Sequence, residues 1–142
     1  DAFCVDRYRS EFLDLVRTHV DILFGNETEI LSLYQTENLN EATELVQDDC
    51  EIVAVTRDSR GSIVIENRRV FEIAAEKIDT VIDTTGAGDL YASGFLYGMT
   101  RDMDIRQCGR LGGLAASSII TQFGARPEES LMPLIDRVSA SN

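Results

Sequence analysis

Apolar residues follow two rhythms along this chain, one suited to helices and one to buried strands. Over Asp6 to His19, the positions Tyr8, Phe12, Leu15, Val16 and His19 recur at helical spacing and predict an amphipathic helix. His19 falls on that stripe with no cysteine or second histidine to join it, so packing or capping is its expected role. Val20 to Phe24, short, apolar and ended by Gly25, predicts a buried parallel strand. Asn26 and Glu29 then stand at capping-box spacing and open a helix to about Tyr34. A further helix is expected over Leu39 to Gln47, with Asn40 as N-cap and Leu39, Thr43 and Val46 on one face. A second buried strand is expected over Glu51 to Thr56. The turn Arg57 to Gly61 leads into strands Ser62 to Glu66 and Arg69 to Ala74, joined at Asn67-Arg68 as an antiparallel meander.

The second half turns on one stretch, Asp83-Thr84-Thr85-Gly86-Ala87-Gly88-Asp89. It follows a β-like run, Thr80-Val81-Ile82, and opens a helical pattern from Leu90 to about Met99. A strand ending in a Gly-rich turn at a helix start offers free backbone N–H groups at the positive end of the helix dipole, which suits phosphate. Gly86 and Gly88 let the backbone bend and an anion approach closely. Asp89 would bring a carboxylate beside that pocket, able to take a proton from an attacking hydroxyl. A later helix, capped by Asp102 or Asp104, runs to about Thr121 on a spine of Cys108, Leu111, Ala115, Ser118 and Ile119. Gly109, Gly112, Gly113 and Ala115 to Ser118 make it slim, either for close packing or for a flat adenine ring. Gly124-Ala125-Arg126-Pro127 breaks it, and Glu128 to Val138 predicts a terminal helix.

Alternating helices and short apolar strands give an α/β fold, a mostly parallel Rossmann-like sheet in three layers flanked by helices. Ligands of such sheets bind beyond the carboxyl ends of the strands, and the motifs at Asn26, Thr56 and Gly86 each follow a predicted strand. Other phosphate motifs fail. The only lysine, Lys77, excludes a Gly-Lys-Ser/Thr loop, Tyr91 replaces the third glycine of a dinucleotide fingerprint, and His19 is followed by Val20-Asp21 rather than Arg-Asp. A net charge of −12, from 13 basic and 25 acidic residues, leaves no basic stripe for nucleic acid. Cys4, Cys50 and Cys108 show no C-x-x-C spacing and read as free thiols in a reducing cytoplasm, and no apolar run reaches membrane-span length.

The Asp83 to Asp89 signature, followed by small residues at Ala92, Ser93 and Gly94, resembles that of the ribokinase-like (PfkB-type) carbohydrate kinases. The run from Cys108 to Ala116 and through Gly124 to Pro127 is similar to adenosine-kinase and sugar-kinase members in particular. The resemblance implies a ribokinase-like fold. It also implies ATP-dependent phosphorylation of a hydroxymethyl group on a sugar or nucleoside, with an adenosine or ribose-like acceptor. Asp89 becomes the catalytic base and Gly86, Ala87 and Gly88 the anion hole. Asn26, Thr56 and Gly61 become ATP contacts, while Arg57 and Arg60 are either solvated turn residues or further ones. Glu29, from an Asn-x-x-Glu motif, would hold Mg²⁺ through water in addition to its capping role. Asp83 and Thr85, with carbonyls near Ile119 and Gly124, resemble the family's monovalent-cation site, which would take K⁺. Members of the family are about twice this length, so residues 1–142 read as the C-terminal, nucleotide-binding half of a kinase domain, without the N-terminal half and lid. An apolar face is then expected, covered by oligomerisation or by the missing half. Alternatives are a non-catalytic nucleotide-binding fragment or interaction module, and an NAD-dependent oxidoreductase.

Overall fold

The computed structural model describes residues 1–139 and divides into two compact units. The first comprises Asp1–Arg57 with Ile63–Glu72, and the second Asp58–Ser62 with the chain from Ile73 onward.

The first unit begins with α1 (Ala2–Arg7) and α2 (Arg9–His19), so the single helix expected from Asp6 is broken at Tyr8. The buried stripe of α2 also differs from the expected one. Phe12 and Val16 lie on the core side as expected and Leu13 joins them, whereas Tyr8, Leu15 and His19 are exposed. β1 (Ile22–Asn26) follows two residues later than expected, with Gly25 inside the strand opposite Val55. α3 (Glu27–Tyr34) and α4 (Leu39–Val46) come next, and Asn38, two residues before the expected cap, closes the start of α4 by accepting from the amides of Asn40 and Glu41.

β2 (Ile52–Thr56), β3 (Ser62–Glu66) and β4 (Arg69–Ile73) complete a sheet in the order β1-β2-β3-β4. β1 and β2 are parallel, with Asn26 level with Thr56. The short links after β2 and β3 have room only for antiparallel pairing, and Asn67 and Arg68, at φ 50° and 61°, make the left-handed two-residue turn such a hairpin favours. The sheet is therefore mixed, with the meander where the sequence put it. Its core gathers Val53, Val55, Ile63 and Ile65 with Val16, Ile30, Leu33 and Val46 from the helices. Burying such side chains contributes roughly 1.5–3 kcal/mol each.

The second unit holds α5 (Ala87–Met99), α6 (Ile105–Ile119) and α7 (Leu134–Ser139). α5 begins three residues before the expected Leu90, which carries Asp89 into its first turn. Asp104 caps α6 in a reciprocal box with Gln107. The expected terminal helix forms only from Leu134.

α5 and α6 cross almost in backbone contact. A Cβ on Gly94 would lie 2.8 Å from the Leu111 carbonyl, one on Gly98 3.0 Å from Cys108 Sγ, and one on Gly112 2.8 Å from the Tyr91 carbonyl. Close packing thus accounts for those glycines, while Gly113 faces open space.

Candidate functional site

The Asp83 to Asp89 turn owes its shape to local hydrogen bonds. The Ala87 amide donates to the Thr84 carbonyl at 3.1 Å, closing a turn with Gly86 at φ 81°, a left-handed conformation that glycine adopts without strain. Gly86 is also a point of close approach, since a Cβ there would sit 2.7 Å from the Ala125 methyl. A larger residue at position 86 meets both obstacles.

Gly86 is the N-cap of α5 and offers no capping side chain. Among the described residues, the amides of Gly86, Gly88 and Asp89 donate to no protein acceptor. Of the expected anion hole, the Ala87 amide is engaged by the turn, and Gly86 and Gly88, with Asp89 beside them, present the free donors. Gly88 borders empty space, with no heavy atom within 4 Å of an added Cβ. Asp89 is exposed, and its backbone carbonyl accepts from the Ser93 hydroxyl at 2.7 Å. A helix N-terminus with unpaired amides beside a solvent-facing carboxylate can bind an oxyanion and accept a proton next to it.

The turn is fastened from behind. Asp83 Oδ1 accepts from the Thr85 amide at 2.9 Å and the Thr85 hydroxyl at 2.7 Å, and Oδ2 accepts from the Gly124 amide at 2.9 Å. These bonds, the Thr85 hydroxyl foremost, hold the Asp83 carboxyl below the usual aspartate range. The structure joins Asp83, Thr85 and Gly124 in a hydrogen-bonded latch. Gly124 meets Asp83 through a donor, and the Ile119 carbonyl accepts from the Gln122 amide at 3.2 Å.

Thr80 to Ile82 forms no strand. Its amides instead reach the end of α6, with Ile82 donating to the Ile120 carbonyl at 2.8 Å and Asp83 at 3.4 Å. The Gly-rich turn therefore does not follow a paired strand, since no strand among the described residues lies beside this run.

In the first unit, Asn26 and Thr56 sit at the carboxyl ends of neighbouring parallel strands, as the sequence implied. The capping box is formed: the Glu29 amide donates to Asn26 Oδ1 at 2.9 Å and the Asn26 amide to Glu29 Oε2 at 2.8 Å. Arg57 is not a solvated turn residue, since only 12% of its side chain is exposed and its guanidinium pairs with Glu72 at 3.3 Å. Gly61, in the second unit, has a structural reason of its own. A Cβ would fall 2.0 Å from the Ile73 carbonyl, and its amide donates to Asp58, so it offers no free donor.

Tyr91, whose presence removed the dinucleotide fingerprint, is buried and donates to Ser62 Oγ at 2.8 Å. Burial pushes its phenol up to about 12, so it stays neutral. Two positions that matter to the turn, Ala125 and Ile120, escaped the sequence reading, because only their tertiary placement gives them a role.

No group of three or more His, Cys, Asp or Glu among the described residues is placed to hold a metal ion. A divalent ion here would be held chiefly by phosphate oxygens and water with a single carboxylate, the manner in which Mg²⁺ commonly binds. No described helix is long and apolar enough to cross a membrane.

Comparison with known proteins gives a consistent result. Residues 3–131 match the model of the pfkB family carbohydrate kinases. An uncharacterized sugar kinase of Archaeoglobus fulgidus is 36% identical over 115 residues, covering 80% of this chain and 45% of that protein. A nucleoside kinase of Methanocaldococcus jannaschii is 32% identical over 132 residues, covering 93% of this chain and 42% of its own length. Among solved structures, a probable sugar kinase from Rhizobium etli superposes with a TM-score of 0.94 at 49% identity, over 98% of this chain and 42% of that one. An adenosine kinase from Sinorhizobium meliloti superposes at 0.93 with 47% identity, over 96% and 42%. The chain thus spans somewhat under half the length of the relatives it matches. With the family model matched across most of its residues and these folds superposing so closely, the chain belongs to the pfkB family of carbohydrate kinases.

Proposed function

We propose that the intact protein transfers the terminal phosphoryl group of ATP to a hydroxymethyl oxygen of a sugar or nucleoside. The observation that carries this reading is the row of unpaired amides at Gly86, Gly88 and Asp89 beside the exposed Asp89 carboxylate. Those amides would hold the terminal phosphate and neutralise charge as it shifts in the transition state, where losing one such donor typically costs about 3 kcal/mol. Asp89 would orient the acceptor hydroxyl and take its proton late, as the oxygen bonds to phosphorus and the bond to ADP breaks. An alcohol is too weak an acid to lose that proton first.

Mg²⁺, when bound, would screen the phosphate charge. Glu29 is the carboxylate proposed to hold one of its waters, with the free lone pairs its capping role leaves. Asn26 and Thr56 are proposed nucleotide contacts on the same unit as Glu29. For Gly61 and Ala87 the proposed role narrows to backbone shape, since their amides are occupied. Asp83 and Thr85, with carbonyls near Ile119 and Gly124, are the proposed K⁺ site. Adenosine is the proposed acceptor, with ribose-like sugars next, supported by relatives named adenosine, nucleoside and sugar kinases. For the present chain by itself, spanning under half of those relatives, the proposed behaviour is nucleotide binding without turnover.

The test is Asp89→Asn in the intact protein. Turnover is expected to fall by about 10²–10⁴, the range of general-base contributions, with ATP affinity largely kept. Turnover within tenfold of wild type would contradict the assignment.

A further inference from the structure

The loop that backs the Gly-rich turn has little burial to hold it. Phe123 is 81% exposed, and Gly124, Ala125 and Arg126 are exposed as well. Gly124 takes φ 83° with nothing within 4 Å of an added Cβ, so packing does not fix its shape. Hydrogen bonds have to do so, and most come from one side chain. Gln122 Nε2 donates to the Arg126 carbonyl at 2.8 Å, and Gln122 Oε1 accepts from the Glu128 amide at 3.3 Å. A primary amide is suited to this double task, because it carries a donor and an acceptor on one rigid plane. The carboxamide bridges the two ends of the loop from Phe123 to Pro127.

That loop is the wall against which the Gly-rich turn rests. Ala125 occupies the space where a Gly86 side chain would be, and the Gly124 amide reaches Asp83, which in turn holds Thr85. Gly86 is also the first of the unpaired amides. A contiguous path of contacts therefore runs from the Gln122 carboxamide through Ala125 and Gly124 to the donors facing the proposed phosphate.

We propose that Gln122 is a positioning residue for the anion-binding turn: its carboxamide closes the Phe123 to Pro127 loop and so sets the placement of the Gly86, Gly88 and Asp89 amides. It touches neither substrate nor reacting atoms. The proposal builds on the assignment of that turn to phosphate, yet part of its test is independent of activity. Since well-placed donors act mainly on the transition state, and small misplacements are costly, the kinetic effect belongs to kcat more than to the KM for the acceptor.

The experiment compares wild type, Gln122→Ala and Gln122→Glu in the intact protein. Gln122→Glu keeps an acceptor for the Glu128 amide and loses the donor to Arg126. Without ligand, the amide resonances of Gly86, Gly88 and Asp89 are expected to shift in both variants while those of the sheet stay in place. The thermal midpoint should be nearly unchanged, because the loop is exposed. kcat is expected to fall about tenfold with the acceptor KM within twofold. Unmoved Gly86 to Asp89 resonances, or a wild-type kcat in Gln122→Glu, would overturn the proposal. Should Gln122→Ala fail to fold, Gln122→Glu decides the question on the same readouts. Asp89→Asn run alongside separates the two ideas: if it keeps full turnover, the phosphate reading fails, whereas shifted resonances would still uphold the coupling.

Discussion

Asp83 shows how much one carboxylate can organise, joining the Thr85 amide and hydroxyl on one oxygen and the Gly124 amide on the other. Its pKa is depressed in the folded state, so its contribution to stability is present above the ordinary aspartate value of about 3.9 and is lost as pH falls through the lower folded value. The difference in thermal midpoint between wild type and Asp83→Asn is therefore expected to be constant near neutrality and to shrink once pH drops below about 4. A difference that does not change down to acid pH would mean the latch is not formed by the ionised group. The chemistry of this stretch was legible because it is local. Gly-rich turn, helix start and carboxylate lie within seven consecutive positions, Asp83 to Asp89, and short-range geometry decides what they can do. Arg57 was not legible in this way. Its partner Glu72 lies across the meander, and only the folded hairpin covers the Arg57 side chain and pairs it with an exposed Glu72 carboxylate. Nor did the sequence show that the turn engages the Ala87 amide, since a glycine-rich run does not say which of its amides the turn itself bonds.

At the scale of elements, the slim surface of α6 carries two kinds of glycine that the sequence could not separate. Gly112 abuts the Tyr91 carbonyl at 2.8 Å, whereas Gly113 faces open space. Gly112→Ala should force α5 and α6 apart and destabilise by about 1–3 kcal/mol. Gly113→Ala should stabilise by about 0.5–1 kcal/mol, the usual gain of alanine over glycine inside a helix. Urea unfolding of both variants checks this, and equal effects would contradict the packing described. The same pair bears on the adenine reading, for an ATP affinity that falls only in Gly113→Ala would place the ring on the open face. Strands were read well where they have neighbours: β2 and β3 carry the continuous apolar runs of strands buried on both sides. Thr80 to Ile82 reads the same way but lacks a neighbour among the described residues, and a strand is a property of a pair. The α2 stripe was read in part, at Phe12 and Val16, while Leu15 and His19, which share the helical spacing, stay exposed.

For the whole molecule, the apolar face expected from the sequence has concrete members. Val81 and Ile82 are 55% and 46% exposed and Phe123 and Met132 are 81% and 58%, the residues on which such a face would be built. The chain spans under half of its relatives, and we expect this chain alone to self-associate, with a sedimentation coefficient that rises with concentration. A concentration-independent monomer would contradict that expectation. The fold class was readable because helix and strand periods alternate along the chain, while the identity of the acceptor was not, since none of the residues that organise the turn carries information about it. The most direct measurement is ATP affinity and unfolding midpoint for Gly88→Ala in the intact protein. An added methyl there meets no protein atom, so folding should be unharmed, yet it fills the approach to the unpaired amides. The account predicts ATP binding weakened at least about tenfold at an equal or higher midpoint, in line with the loss of close backbone contact to phosphate. Wild-type ATP affinity in that variant would show that the phosphate is not held there.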